Sequence, residues 1–313
     1  MADLQVNRLG QIQLAGATDA LYMKLFAGEI LTTFDRLNVF ADKHVVRNIS
    51  NGKSASFPAI GKIGAKYHVP GTQLVGTPVA HNEKVITIDD LLLTDVMIAD
   101  IDEAMNHYDV RSEYSHQMGE ALALAYDSNV ARVGILNARS GPAVTGMPGG
   151  SVINGGVNVR TDGALIKSAL FAAAQRFDEN DIPSGDRFAF VRPVTYYAAA
   201  AVTDLIHKDW GGSGALASGT IESLAGIKIV KTNNLPNTNQ ASDTAVLPKY
   251  RGNYATTAML IQNRQAVGTV KLMDLSVQTE YQTLFQATAM VARQAVGHGS
   301  LRPDCGIEVV AVA

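Results

Sequence analysis

The chain has one cysteine, Cys305, and one tryptophan, Trp210, in 313 residues. A single thiol excludes an internal disulfide and fits a reducing compartment. No run of 18 apolar residues occurs, which excludes a membrane-spanning helix. The opening MADLQVNRLG lacks the apolar core of a secretion leader. Charged residues are scarce at 18% and the formal net charge is −3, so the clustered Lys and Arg that phosphate binding demands are missing. What is abundant is apolar: 47% hydrophobic residues, enough core for a globular chain of about two domains.

Several stretches imitate active sites without completing one. Gly52-Lys53-Ser54 resembles the end of a phosphate-binding loop, but Arg47 stands where the first glycine belongs, and Pro58 prevents the helix that should follow. Glu103 and His107 lie four apart with only Asp100 and Asp102 near them. Without a second histidine at ligand spacing they read as a solvated helix face. Cys305 and His298 have no protease signature around them. Ser213, in GGSGA, follows no strand and makes no nucleophile elbow. Asp186 and Arg187 read as a surface pair at a strand end. No catalytic, metal or cofactor-binding constellation is expected.

The pattern that organises the chain runs from Glu83 to Leu136. EKVITID (83–89) alternates as a strand does. From Val110 to Leu136 one uninterrupted helical pattern carries Tyr114, Met118, Ala121, Leu122, Ala125, Val130 and Val133 on an apolar stripe. Asp109 is its expected N-cap, and the helix would span roughly 39 Å, a spine. Before it, residues 1–50 form an arm whose Leu21, Leu25, Phe26, Ile30 and Phe34 fall near helical spacing. Residues 51–82 open on Asn51-Gly52, a turn signal, and are punctuated by glycine and proline. They read as a long two-stranded excursion. A two-stranded ribbon is marginal alone in water, so it needs a partner surface: a neighbouring subunit or, in the alternative, its own domain.

After the spine, 137–163 is turn-rich. Asp162 is expected to cap a helix carrying Leu165, Ile166, Ala169, Leu170, Ala173 and Phe177. RFAFV (187–191) is a buried strand, and Pro193 opens another helix. GIKIVKT (226–232) and YATTAMLI (254–261) are further strands. Residues 161–262 thus form one α+β domain, with a tip at 207–219 that holds Trp210. Residues 270–297 suit one or two long strands, and IEVVAVA ends the chain as a strand expected to close the first domain, 83–160.

Three blocks carry a resemblance. AMNHYDVRSEY (104–114), QAVGTVKLMDL (265–275) and GHGSLRP (297–303) resemble, in that order, the major capsid protein of short-tailed double-stranded DNA phages of the autographivirus type. The resemblance covers nearly the whole chain and is weakest between Arg139 and Arg264. It implies the tailed-phage major capsid (Johnson) fold: arm 1–50, extended loop 51–82, peripheral domain 83–160 with its spine helix 110–136, axial domain 161–262, and a return to the peripheral domain over 263–313. It further implies a structural role in the virion. Subunits assembled in the host cytoplasm as hexamers and pentamers would tile an icosahedral head enclosing double-stranded DNA without sequence-specific binding. The arm would contact scaffolding protein, a portal would occupy one vertex, and the shell would expand on packaging. The loop would lie over the adjacent subunit, with Phe57, Tyr67 and Val69 as contact residues because aromatic side chains dominate interfaces. Trp210 would mark the axial tip. Gly119, inside the spine, would be a bend point or a close helix contact. Some relatives crosslink lysine to asparagine; Lys62 and Lys66 sit on the loop with no marked partner, so no crosslink is expected. The competing readings are an α+β small-molecule enzyme, which should show a convergent polar site, and a nucleic-acid-binding module, which the acidic balance opposes.

Overall fold

The computed structural model describes residues 38–73, 76–100, 110–202, 221 and 223–312. Most of the expected arm, Asp109, the Glu103–His107 pair, Ser213 and Trp210 lie outside them. In chain order come β1 (Val45–Asn48), β2 (Ser54–Ile60), β3 (His81–Thr87) and β4 (Leu92–Ala99). The long helix α1 (Val110–Ala138) follows, then β5 (Ser151–Asn154), α2 (Gly163–Glu179), β6 (Arg187–Val191) and α3 (Pro193–Ala200). The remainder is strand: β7 (Ser223–Leu224), β8 (Ile227–Lys231), β9 (Thr257–Asn263), β10 (Val267–Gln282), β11 (Ala287–Ser300) and β12 (Gly306–Val310). The chain divides into two compact units, and one division falls inside α1, between Tyr126 and Asp127.

The first unit takes in 89–126 and 272–296. Here β4 runs antiparallel to β11, from Leu92 opposite Gln294 to Ala99 opposite Ala287. DLLLTDVMIAD carries Asp95 mid-strand and leucines on both faces, which hid β4 from the periodicity argument. In α1 the buried face is Ser115, Met118, Gly119, Leu122, Ala123 and Tyr126, at steps of three and four. Ala121, expected on that stripe, is exposed; one residue from Leu122 is a rotation of about 100° around the helix.

The second unit takes in 39–88, 127–271 and 297–313. Its six-stranded sheet has the order β5-β12-β9-β6-β8-β7. β6 and β9 are buried at every residue, and burial on both faces is why RFAFV and TAMLI read as unbroken apolar runs. Asp162 caps α2, its carboxylate accepting from Ala164 N–H at 2.9 Å, and Pro193 opens α3. Within this unit the last turns of α1, from Val130 to Ala138, are buried on most sides. Asp127 is buried with them and accepts from the N–H groups of Val39 at 2.8 Å and Phe40 at 3.3 Å and from the Asn234 amide at 3.0 Å. Burial still pushes its carboxyl up from the usual range.

The terminal strand β12 lies between β5, inside 83–160, and β9, inside 161–262, parallel to the one and antiparallel to the other. An apolar strand says that it is buried, not which strands flank it. Arg187 is not at the surface. Its guanidinium is 3% exposed, bonds Asp178 Oδ1 at 2.8 Å and the Pro183 carbonyl at 3.0 Å, and lies over the Phe177 ring. The ring and the α2 carboxylate, both at some distance in sequence, supply what a strand-end arginine otherwise finds in water.

Candidate assembly surfaces

The ribbon is built from β2 and β3, paired antiparallel from Ser54 opposite Thr87 to Ile60 opposite His81. At its root Ala55, Ile86 and Val270 form a buried cluster against which Ile49, Phe57, Ile88 and Leu301 pack. Arg47 lies over the Phe57 ring at 5.5 Å and donates to the Ser56 carbonyl. The GHGSLRP block makes this root possible. A Cβ on Gly297 would sit 2.8 Å from Ile88 Cα, and one on Gly299 would sit 2.7 Å from Ile86 Cγ1, so Gly297 lets β11 approach the backbone at the end of β3 and Gly299 makes room for the Ile86 side chain. Between them His298 is buried, with its Nδ1 2.8 Å from Thr269 Oγ1, and its N–H donates to Tyr250 Oη at 3.1 Å.

Beyond Gly61, whose N–H donates to the Ala80 carbonyl, the described residues of the loop form no ladder. Lys62 is tied to Asp181 at 2.7 Å. Past it the chain turns its apolar side chains outward: Ile63 is 71% exposed, Val69 65%, and Tyr67 completely. Of the three expected contact residues, then, Tyr67 and Val69 are free of their own fold, while Phe57 is half-buried in the root. Gly119 is buried in an unbroken helix.

A second apolar projection was not anticipated. The turn between β10 and β11 exposes Leu284 at 93% and Phe285 at 69%. Adjacent Leu and Phe bracketed by Thr and Gln was the signal available in the sequence. Tyr281 beside it bonds Asp100, and that carboxylate pushes its phenol up.

The buried polar groups secure the frame. Arg139, in the turn that ends α1, donates two hydrogen bonds to the Glu308 carboxylate of β12, Nε to Oε2 at 2.6 Å and Nη2 to Oε1 at 2.7 Å. Thr257 Oγ1 donates to the same carboxylate at 2.6 Å, and Arg139 Nη1 donates to the Asn253 carbonyl. Glu308 has no solvent exposure. Burial pushes the Cys305 thiol up to about 12, so it is inert rather than nucleophilic. Among the described residues no three His, Cys, Asp or Glu side chains come close enough to hold a metal ion.

An α+β subunit that keeps two apolar tips off its own core is built to be completed by others. Its fold is that of tailed-phage capsid subunits: it superposes on the capsid structure of cyanophage P-SCSP1u with a TM-score of 0.81 and 44% identity, covering 99% of each chain. The Gp10A-like major capsid protein profile matches residues 56–310, and the chain belongs to that family. It is 38% identical to the major capsid protein of Escherichia phage T7, over 95% of this chain and 93% of that one. It is 35% identical to the major capsid protein of Enterobacteria phage T3, over 96% and 94% respectively. The chain is therefore a structural subunit of a phage capsid that assembles with copies of itself, and nothing supports the enzyme alternative.

Proposed function

We propose that the subunits gather as hexamers and pentamers into an icosahedral head that encloses double-stranded DNA, with scaffolding protein inside during assembly and a portal at one vertex, all formed in the host cytoplasm. The observation that carries this reading is the loop 61–80. Its Ile63, Tyr67 and Val69 are exposed to a degree that a soluble fold avoids for a cluster of apolar side chains, and a neighbouring subunit covers them. Tyr67 and Val69 are the principal contact residues, and Phe57 adds its exposed edge. Trp210 marks the axial tip, and Gly119 lowers the resistance of α1 to bending between shell states. The net charge of −3 suits a wall that holds DNA without gripping phosphates. Negative-stain microscopy of the protein co-expressed with its scaffolding protein tests the proposal: closed shells are expected, and dispersed single subunits overturn it.

A further inference from the structure

Between the ribbon and the rest of its own unit lies a cavity of about 390 Å³. The ribbon contributes Phe57, Ala59 and Lys84 to its lining, and the remainder of the unit contributes Val45, Met147 and Leu301. In the antiparallel ladder Phe57 stands opposite Lys84 and Ala59 opposite Asn82, so these side chains share one face of the ribbon. Asn82 Nδ2 donates to the Ala143 carbonyl at 2.5 Å, which fastens that face to the turn that carries Met147.

The charged residues of the lining differ in what they bond. Arg302 is fully engaged: Nε and Nη2 donate to the Asp304 carboxylate at 3.2 and 2.5 Å, and Nη1 donates to Gln265 Oε1 at 3.2 Å. Asp304 is thereby neutralised. Lys84 is half-buried, and no acidic side chain among the described residues bonds its ammonium. A mostly apolar cavity of this size with one uncommitted charge has the form of a small-molecule site.

We infer that the cavity binds a small aliphatic carboxylate. The hydrocarbon chain fills the space among Val45, Phe57, Met147 and Leu301, and the carboxylate accepts a charge-assisted hydrogen bond from Lys84 Nζ. The surrounding side chains keep water away, so this attraction is stronger than it is in bulk solvent. Lys84 repels a cation of the same shape. The ligand touches the ribbon and the rest of the unit together, so its presence holds the ribbon at one angle. The site belongs to the single subunit and stands apart from the shell function proposed above.

Isothermal titration calorimetry of unassembled subunits with decanoate, kept below its micelle-forming concentration, tests the site. One equivalent should bind, the melting temperature should rise with decanoate concentration, and the backbone amides of β2 and β3 should exchange more slowly with solvent. Decyltrimethylammonium, with the same chain length and the opposite charge, should not bind. Lys84→Gln should weaken decanoate binding about tenfold, the loss of one charge-assisted hydrogen bond, and Lys84→Arg should restore it. Ala59→Trp, which fills the cavity from the ribbon side, should abolish binding in subunits that still melt cooperatively. Equal binding of the two surfactants, or an unchanged decanoate affinity in either Lys84→Gln or Ala59→Trp, overturns the site and marks an unspecific apolar surface. Absence of decanoate binding, with shell yield lowered by Lys84→Gln and Ala59→Trp, overturns it in favour of a neighbouring chain as the occupant.

Discussion

Glu308 is the one charged residue in an otherwise apolar terminal strand, and its carboxylate is held by Arg139 and Thr257. Removing one partner of a buried ion pair strands the other charge, which costs about 3–5 kcal/mol. Arg139→Met is therefore expected to lower subunit stability by roughly 3 kcal/mol, read by urea unfolding; a loss below about 0.5 kcal/mol would show that the pair contributes nothing. His44 gives a pH dependence. Its Nδ1 donates to the Phe40 carbonyl at 2.6 Å, and burial, aided by Lys271 and Arg264 and opposed by Asp42, lowers its pKa from 6.5 to about 4. Between those values the unfolded chain takes the proton and the folded subunit does not. Stability is thus full above pH 6.5 and falls as pH drops toward 4, by about 3 kcal/mol over the whole interval. His298, also buried, acts in the same direction. His44→Leu should flatten the melting-versus-pH curve across that window; an unchanged slope would mean that His44 does not titrate there. Neither group was legible in the sequence. Arg139 and Glu308 are 169 positions apart, and a lone histidine between Lys43 and Val45 gives no sign of burial. Gly297 and Gly299 were visible as part of a block, but their reason, the approach of β11 to β3, is a tertiary fact.

Elements were easier to read than their partners. The helix expected over 110–136 runs over Val110–Ala138, and RFAFV, the Asp162 cap and the Pro193 start all stand where local chemistry put them. The two long strands near the end are also present, as β10 and β11. What local pattern withheld was pairing: β1, inside the expected arm, runs parallel to β10 from Val45 opposite Gly268, and β12 joins the second unit's sheet. The ribbon separates two kinds of apolar residue. Tyr67→Ala should leave subunit stability within about 0.5 kcal/mol and lower shell yield, because the ring touches nothing of its own chain. Phe57→Ala removes packing from the Ala55–Ile86–Val270 cluster and should destabilise the subunit by about 1–3 kcal/mol, short of a full core deletion. Equal effects of the two changes on subunit melting would contradict this division. In α1, Gly119→Ala gains about 1 kcal/mol of helix propensity. If the glycine is a bend point, subunits melt no lower than the unsubstituted protein while procapsids form poorly or expand early. A drop in subunit melting before assembly assigns the glycine to close packing instead.

At the scale of the whole molecule, the two apolar tips and the two-unit chain make sense only in an array. A subunit with exposed Tyr67, Leu284 and Phe285 gains by burying them against copies of itself. The capsid family was legible in three short blocks because they hold the structural joints: the entry to α1, the start of β10 and the glycine crossing at the ribbon root. The most direct measurement is a cryo-microscopy map of particles recovered from co-expression with scaffolding protein. The account predicts closed shells with rings of five and six subunits, in which residues 61–80 of each subunit lie on the adjacent one. Rings in which that loop folds back on its own subunit, or a protein that stays monomeric, would contradict it.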